Sequence, residues 1–232
     1  MSFSGLDGSG KTTQIDRLLE SLEDCGLRVR LLRFWDHIAV LGRIREAMSH
    51  TLFKSEKGIG SPEKPVQRRD KNVRSWYMTA ARLFLYALDA IQLTMVVARM
   101  SSRKEDVVVF DRYLYDEIAN LDLGNSVLRG YVRLLLRLIP RPDVAFLLDA
   151  VPSQARARKP EYPLDFLHCN RVSYLDLAAL AGSITIVPPR AACEITRIVK
   201  RNVLEALPHQ QPQRETAVLH SQAAITNTIT NR

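Results

Sequence analysis

A parallel α/β fold, with helices over both faces of its sheet, is predicted by three observations in this 232-residue sequence. Short apolar runs rich in Val, Ile, Leu and Phe recur without alternation, as strands covered on both faces do. Longer stretches of helical periodicity separate them, the pattern of successive βαβ units. Near the start stands Gly5-Leu6-Asp7-Gly8-Ser9-Gly10-Lys11-Thr12-Thr13, which fits G-x-x-x-x-G-K-[ST]. It runs at once into Ile15, Leu18, Leu19 and Leu22 at helical spacing, the context that separates this loop from a chance Gly/Ser turn.

Each element can be justified in turn. The first strand must precede Gly5, where only Met1–Ser4 is available. A strand feeding such a loop usually has about five or six residues, so either this one is unusually short or the true start lies upstream. Further strands are predicted at Val29–Phe34, Val107–Phe110, Val144–Leu148 and Ile184–Val187. Helices are predicted over Lys11–Asp24, Val40–Phe53, Ser75–Arg103, Ser126–Leu138, Pro163–Ala181 and Ala191–Leu207. Lys54–Arg74 breaks the pattern with Gly58, Gly60, Pro62 and Pro65 and reads as a basic surface loop, either solvated or facing a substrate or partner. Arg129, Arg133 and Arg137 lie four apart and form a basic stripe, read as a solvated face rather than a nucleic-acid site. After Pro208 little remains to bury, so 208–232 is expected to be a disordered tail behind a single domain over 1–207.

Composition narrows the function classes. A formal net charge of +8 suits phosphorylated small molecules, nucleic acid or an anionic surface; an enzyme holding two phosphorylated substrates needs converging cations, and that reading is preferred. Three scattered cysteines, Cys25, Cys169 and Cys193, give neither a disulfide framework nor a zinc site and point to a reducing, cytoplasmic setting. The apolar run Met78–Met100 carries Arg82, Asp89, Gln92 and Arg99, which are costly in lipid, so a long, mostly buried helix is expected there and no membrane span.

The glycine-rich loop has a definite chemistry. Its glycines let consecutive backbone N–H groups wrap a polyphosphate, Lys11 reaches the outer phosphates, and Thr12 offers a hydroxyl to Mg²⁺. The helix beginning near Gly10 aims its positive end at the same anion. Val107–Phe110 delivers Asp111-Arg112-Tyr113 to a strand end, where ligands of parallel sheets bind. Asp111 is placed there for Mg²⁺, and Arg112 for a second phosphate in the bidentate manner of a guanidinium. Arg33-Phe34 ends its own strand in the same way.

Together these motifs resemble the thymidylate kinase family of nucleoside monophosphate kinases. The resemblance covers most of Phe3–Leu207 and rests on F-S-G-L-D-G-S-G-K-T-T-Q at Phe3–Gln14, R-F at Arg33–Phe34 and D-R-Y at Asp111–Tyr113. It continues in D-x-x-P at Asp149–Pro152, the spacing from Asp149 to Arg158, and Arg171-x-x-Tyr174. It implies a P-loop NTPase three-layer fold with a parallel sheet of about five strands, and an ATP- and Mg²⁺-dependent kinase whose acceptor is a nucleoside monophosphate, dTMP first. By the same resemblance, Gly8, Ser9, Gly10, Lys11, Thr12 and Thr13 bind ATP. Asp7 lies near the acceptor phosphate and the metal. Arg33, Phe34, Tyr86 and Arg112 hold the acceptor. The loop position that carries an arginine in one branch of the family is Gly8 here. The bacterial branch supplies arginines from a lid instead; Arg156, Arg158 and Lys159, within a lid over about 152–162, fall in its place, and as plain sequence they also read as a simple basic loop. A homodimer through the helix around Met78–Met100 is likewise implied.

The departures matter as much. Trp35 stands where the family has proline. The arginine that reads the thymine edge, four residues after the aromatic matched by Tyr86, falls on Ala90, or on Asp89 with a one-residue slip. The serine three after the D-R-Y tyrosine is Asp116. Asp36 and Asp116 therefore keep open a kinase with a hydroxyl acceptor, for which a carboxylate base is useful. A regulatory nucleotide-binding module is the third reading, although no N-K-x-D guanine-reading motif is present.

Overall fold

A computed structural model describes residues 1–40, 76–101 and 105–207. The helix expected at Val40–Phe53, the basic loop 54–74 and the tail 208–232 lie outside the described residues, apart from Val40 and the helix's immediate approach.

Five strands, β1 (Ser2–Ser4), β2 (Val29–Arg33), β3 (Val107–Asp111), β4 (Ala145–Leu148) and β5 (Ile184–Val187), form one sheet in the order β2-β3-β1-β4-β5. Every pairing is parallel. Strand β1 has only three residues, yet it lies at the sheet's centre and is wholly buried, so pairing on both sides compensates for its length.

Alternate residues of the strands feed two cores. Leu32, Phe110, Ala145 and Leu147 face one cluster, and Phe3, Val109, Phe146 and Leu148 the other. Helix α1 (Lys11–Asp24) and α8 (Ala192–Ala206) cover the second face. They are joined by Gln14, whose side chain donates to the Ala192 carbonyl at 3.1 Å and accepts from Thr196 Oγ1 at 2.8 Å. The first face is covered by α3 (Trp76–Ser101), α4 (Leu114–Ile118), α5 (Ser126–Leu138) and α7 (Leu164–Ala181). Asn125 caps α5 by accepting from the Val127 and Leu128 amides, which satisfies donors the helix leaves free at its start. Three short helices were not foreseen: α2 (Phe34–His37), α4, and α6 (Pro152–Arg158) in the segment read as a lid.

Two expectations need correction. The strands are not all covered on both faces: β2 and β5, the edges of the sheet among the described residues, are partly exposed. Nor is α3 mostly buried. Thr79–Ser101 is long and apolar enough to cross a membrane by length and composition, and only 28 % of that window is buried. Tyr86, Ala90, Leu93 and Val96 enter the core, whereas Tyr77, Phe84 and Ile91 recur every seventh residue on an exposed stripe. Asp89, the acid that argued against lipid, is fully buried and accepts the Val40 amide at 2.7 Å.

At the end of β1 the chain passes close beneath β4. Gly5 has φ +141°, and a Cβ there would lie 2.5 Å from the Leu148 carbonyl oxygen. Strain in a forbidden backbone region and overpacking against main chain add. Gly5→Ala is expected to lower stability by about 3 kcal/mol, read as a lower midpoint in urea unfolding with an unchanged m-value.

Candidate active site

Parallel pairing brings the C-terminal strand ends to one edge. Arg33 is in register with Asp111, and Asp111 with Phe3, so the ends of β2, β3 and β1 stand side by side. The glycine-rich loop leaves β1 and closes over this edge before α1 begins. Gly10 caps α1 with φ 92° and no side-chain cap. Lys11 is buried, and its ammonium donates to the Gly5 and Leu6 carbonyls at 2.8 Å each. Burial pushes this ammonium down to about 8, helped by the nearby Arg112 charge and opposed by Asp7, Asp116 and Asp111.

Arg112 is the only non-glycine with positive φ (68°) among the described residues. That left-handed turn at the end of β3 carries its side chain back to the loop. One terminal nitrogen pairs with Asp7, and the other faces Asp116 at 3.8 Å. Burial opposes the guanidinium's charge, but Asp7 and Asp116 more than compensate and hold its pKa above the ordinary arginine value. Lys159 Nζ lies 3.9 Å from the same Asp7 oxygen and 3.1 Å from Glu161.

Asp116 is 4 % exposed. It accepts from Ser4 Oγ at 2.7 Å, the Tyr113 amide at 3.1 Å and Tyr174 Oη at 2.8 Å. Its oxygens are thus engaged by the fold on three sides. Asp36 sits exposed on α2, with its carboxylate in solvent.

Helix α6 packs directly on the loop. A Cβ at Gly8 would fall on the Ala155 carbonyl, and φ there is +83°. Arg158 donates to the Gly8 carbonyl at 3.2 Å. Behind α6, Arg171 on α7 holds Asp149 through two bonds of 2.7 and 2.6 Å, so the matched D-x-x-P and R-x-x-Y segments are joined physically.

Of the residues singled out from sequence, Asp7, Lys11, Arg112 and Arg158 converge on the loop. Thr12 and Thr13 are exposed at the start of α1, and Asp111 is partly exposed at the strand end. The side chain of Arg33 is exposed beside them, and that of Arg156 is half-buried on α6. Phe34 and Tyr86 belong to the hydrophobic core beneath the edge. Ser4 and Glu161 were missed. A serine at the end of the short Ser-Phe-Ser strand was the one visible signal for Ser4; Glu161 had none.

The loop suits a polyphosphate on its own evidence. It combines glycines that admit no Cβ, an uncapped helix start, a buried ammonium, and a Ser9 hydroxyl that is buried without a hydrogen-bond partner. Among the described residues no group of three or more His, Cys, Asp or Glu could hold a metal ion.

A Lys11 pKa of about 8 means that the ligand-free folded protein binds fewer protons than the unfolded chain between about 8 and 10.5. Stability is therefore expected to rise with pH across that window. Above it the buried Tyr113 and Tyr174 hydroxyls, whose pKa values burial raises, pull stability down. Denaturant midpoints measured from pH 7 to 10 should show the rise in the ligand-free wild type and its loss in Lys11→Met.

No protein-family model matches the chain. It is 30 % identical over 215 residues to a probable thymidylate kinase of Pyrococcus abyssi, covering 87 % of this chain and 96 % of that protein. A probable thymidylate kinase of Methanocaldococcus jannaschii is 28 % identical over 211 residues, covering 89 % and 96 %. A thymidylate kinase of Bifidobacterium longum is 29 % identical over 189 residues, covering 77 % and 83 %. With a P-loop at the centre of a five-stranded parallel sheet and near full-length similarity of this kind, the chain belongs to the thymidylate kinase family.

Proposed function

We propose that this protein transfers the γ-phosphoryl group of ATP to a nucleoside monophosphate, with dTMP as acceptor and dTDP as product. The observation that carries this reading is Arg112, a guanidinium held against the phosphate loop beside Lys11, where a second phosphate would meet the first. An acceptor phosphate is already a nucleophile at neutral pH, so positioning and charge neutralisation suffice. No base is needed.

In this reading the loop amides from Gly8 to Thr13 and the Lys11 ammonium hold the ATP phosphates. Lys11 exchanges its loop carbonyls for phosphate oxygens. Thr12 and Asp111 would hold Mg²⁺, which would supply neutralisation of the charge on the phosphates. Arg112 and Arg33 grip the acceptor phosphate, while Asp7 orients Arg112. Arg158, Arg156 and Lys159 close from the lid and exclude water. Phe34 and Tyr86 support the acceptor site from the core side. Base selectivity does not use the family's arginine, since Ala90 is a core residue and Asp89 is bound to the Val40 amide.

Coupled ADP release with Mg-ATP tests the reading. Turnover is expected with dTMP above other nucleoside monophosphates and free nucleosides. Arg112→Ala should lower kcat/KM for dTMP by a factor of 10² or more, equivalent to roughly 3 kcal/mol of charge-assisted binding. Turnover of a nucleoside in place of dTMP would transfer the assignment to a hydroxyl acceptor.

A homodimer formed through the stripe Tyr77, Phe84 and Ile91 of α3 belongs to the same proposal, because side chains 57–65 % exposed at a seven-residue spacing form a self-complementary face. The three cysteines are free and exposed, which suits a reducing cytoplasm. Light scattering should give twice the chain mass for the wild type and the chain mass for Phe84→Glu.

A further inference from the structure

We propose that Asp116 is the positioning residue that fixes Arg112 for the acceptor phosphate, a role resting on the reading of Arg112 given above. The two terminal nitrogens of Arg112 face different carboxylates, Asp7 and Asp116. These carboxylates are not equivalent. Asp7 belongs to the phosphate loop and also lies near Lys159 of the lid segment, so it is tied to the parts of the site that would meet the phosphates. Asp116 is tied to three separate pieces of the scaffold: Ser4 in β1, the Tyr113 amide at the start of α4, and Tyr174 in the middle of α7. None of these belongs to the loop or the lid.

The backbone reinforces the same geometry. Arg112 adopts φ 68°, a conformation costly for a residue with a Cβ, and its amide donates to the Phe3 carbonyl at 3.1 Å. A strained main chain aims the side chain, and Asp116 stops it from swinging away. A buried carboxylate is seldom retained for stability, since well-packed apolar groups do as well. Here it supplies a fixed negative charge, where the serine of the resembling family could supply only a hydroxyl. Tyr174 completes the arrangement: its hydroxyl orients the Asp116 oxygen that faces Arg112.

The test compares Asp116→Asn and Tyr174→Phe with wild type and Arg112→Lys, all as the full chain. Two readouts are taken: KM and kcat for dTMP and for ATP, and the ¹⁵N NMR signal of the Arg112 Nε–H, identified by its absence in Arg112→Lys. Asp116→Asn is expected to raise the KM for dTMP roughly tenfold, with the KM for ATP within about twofold, and to broaden the Arg112 signal. Tyr174→Phe should shift both readouts the same way by less. If Asp116→Asn lowers the unfolding midpoint but leaves the dTMP KM and the Arg112 signal unchanged, Asp116 is merely structural and the proposal fails. If Arg112→Lys itself leaves dTMP binding intact, the phosphate-gripping reading of Arg112 fails instead, and the NMR signal still decides whether Asp116 orders the side chain. Should Asp116→Asn not fold, Tyr174→Phe decides the matter by the same two readouts.

Discussion

A guanidinium sunk between two carboxylates at the end of β3 is the constraint on which the site depends. Taking such a charge out of water is costly unless its partners are close and themselves held. Asp7 supplies one partner from the loop and Asp116 the other from the scaffold. Satisfying Asp116 draws in β1 through Ser4 and α7 through Tyr174, and α7 in turn grips the end of β4 through Arg171 and Asp149. One partly buried charge is thereby linked to three of the five strands and the helix that follows the lid segment.

The same cluster sets the state of Lys11. Before any phosphate arrives, its ammonium is buried beside Arg112, and only nearby acids and two loop carbonyls favour its charge. Lys11 and Arg112 thus bring two cations together at the phosphate loop, set among the Asp7, Asp111 and Asp116 carboxylates. A ligand bearing several phosphate oxygens relieves the crowding of both, which is a stronger reason for anion binding than the excess of basic residues over the whole chain.

Much of this was legible in the sequence because it is local. The phosphate loop, α1, the D-R-Y strand end and the β5 strand follow from motifs and periodicities within a dozen residues, and the D-x-x-P and R-x-x-Y spacings foreshadow the Asp149–Arg171 pair. What stayed hidden depends on long-range approach. Asp116 read as a candidate base because two of its partners lie 112 and 58 residues away in sequence. Phe34 and Tyr86 looked like ligand contacts, yet both side chains pack in the core; an aromatic residue at a strand end or on a helix gives no sign of which neighbour covers it. Helix α3 was misread for a related reason. Apolar periodicity reports that a face avoids water but not whether the chain itself or a second molecule covers it, and α3 carries both kinds of face.

The close seat of α6 on Gly8 carries a steric consequence. The resembling family places its mobile cations either at this loop position or on the lid, and here the main chain of Ala155 occupies the volume into which a side chain at position 8 would grow. The two solutions are sterically exclusive. With α6 seated as it is here, an arginine at position 8 would displace the helix that brings Arg158 to the Gly8 carbonyl. Loop and lid are therefore matched in this protein: the missing side chain at position 8 leaves the volume in which α6 carries Arg158 to the loop.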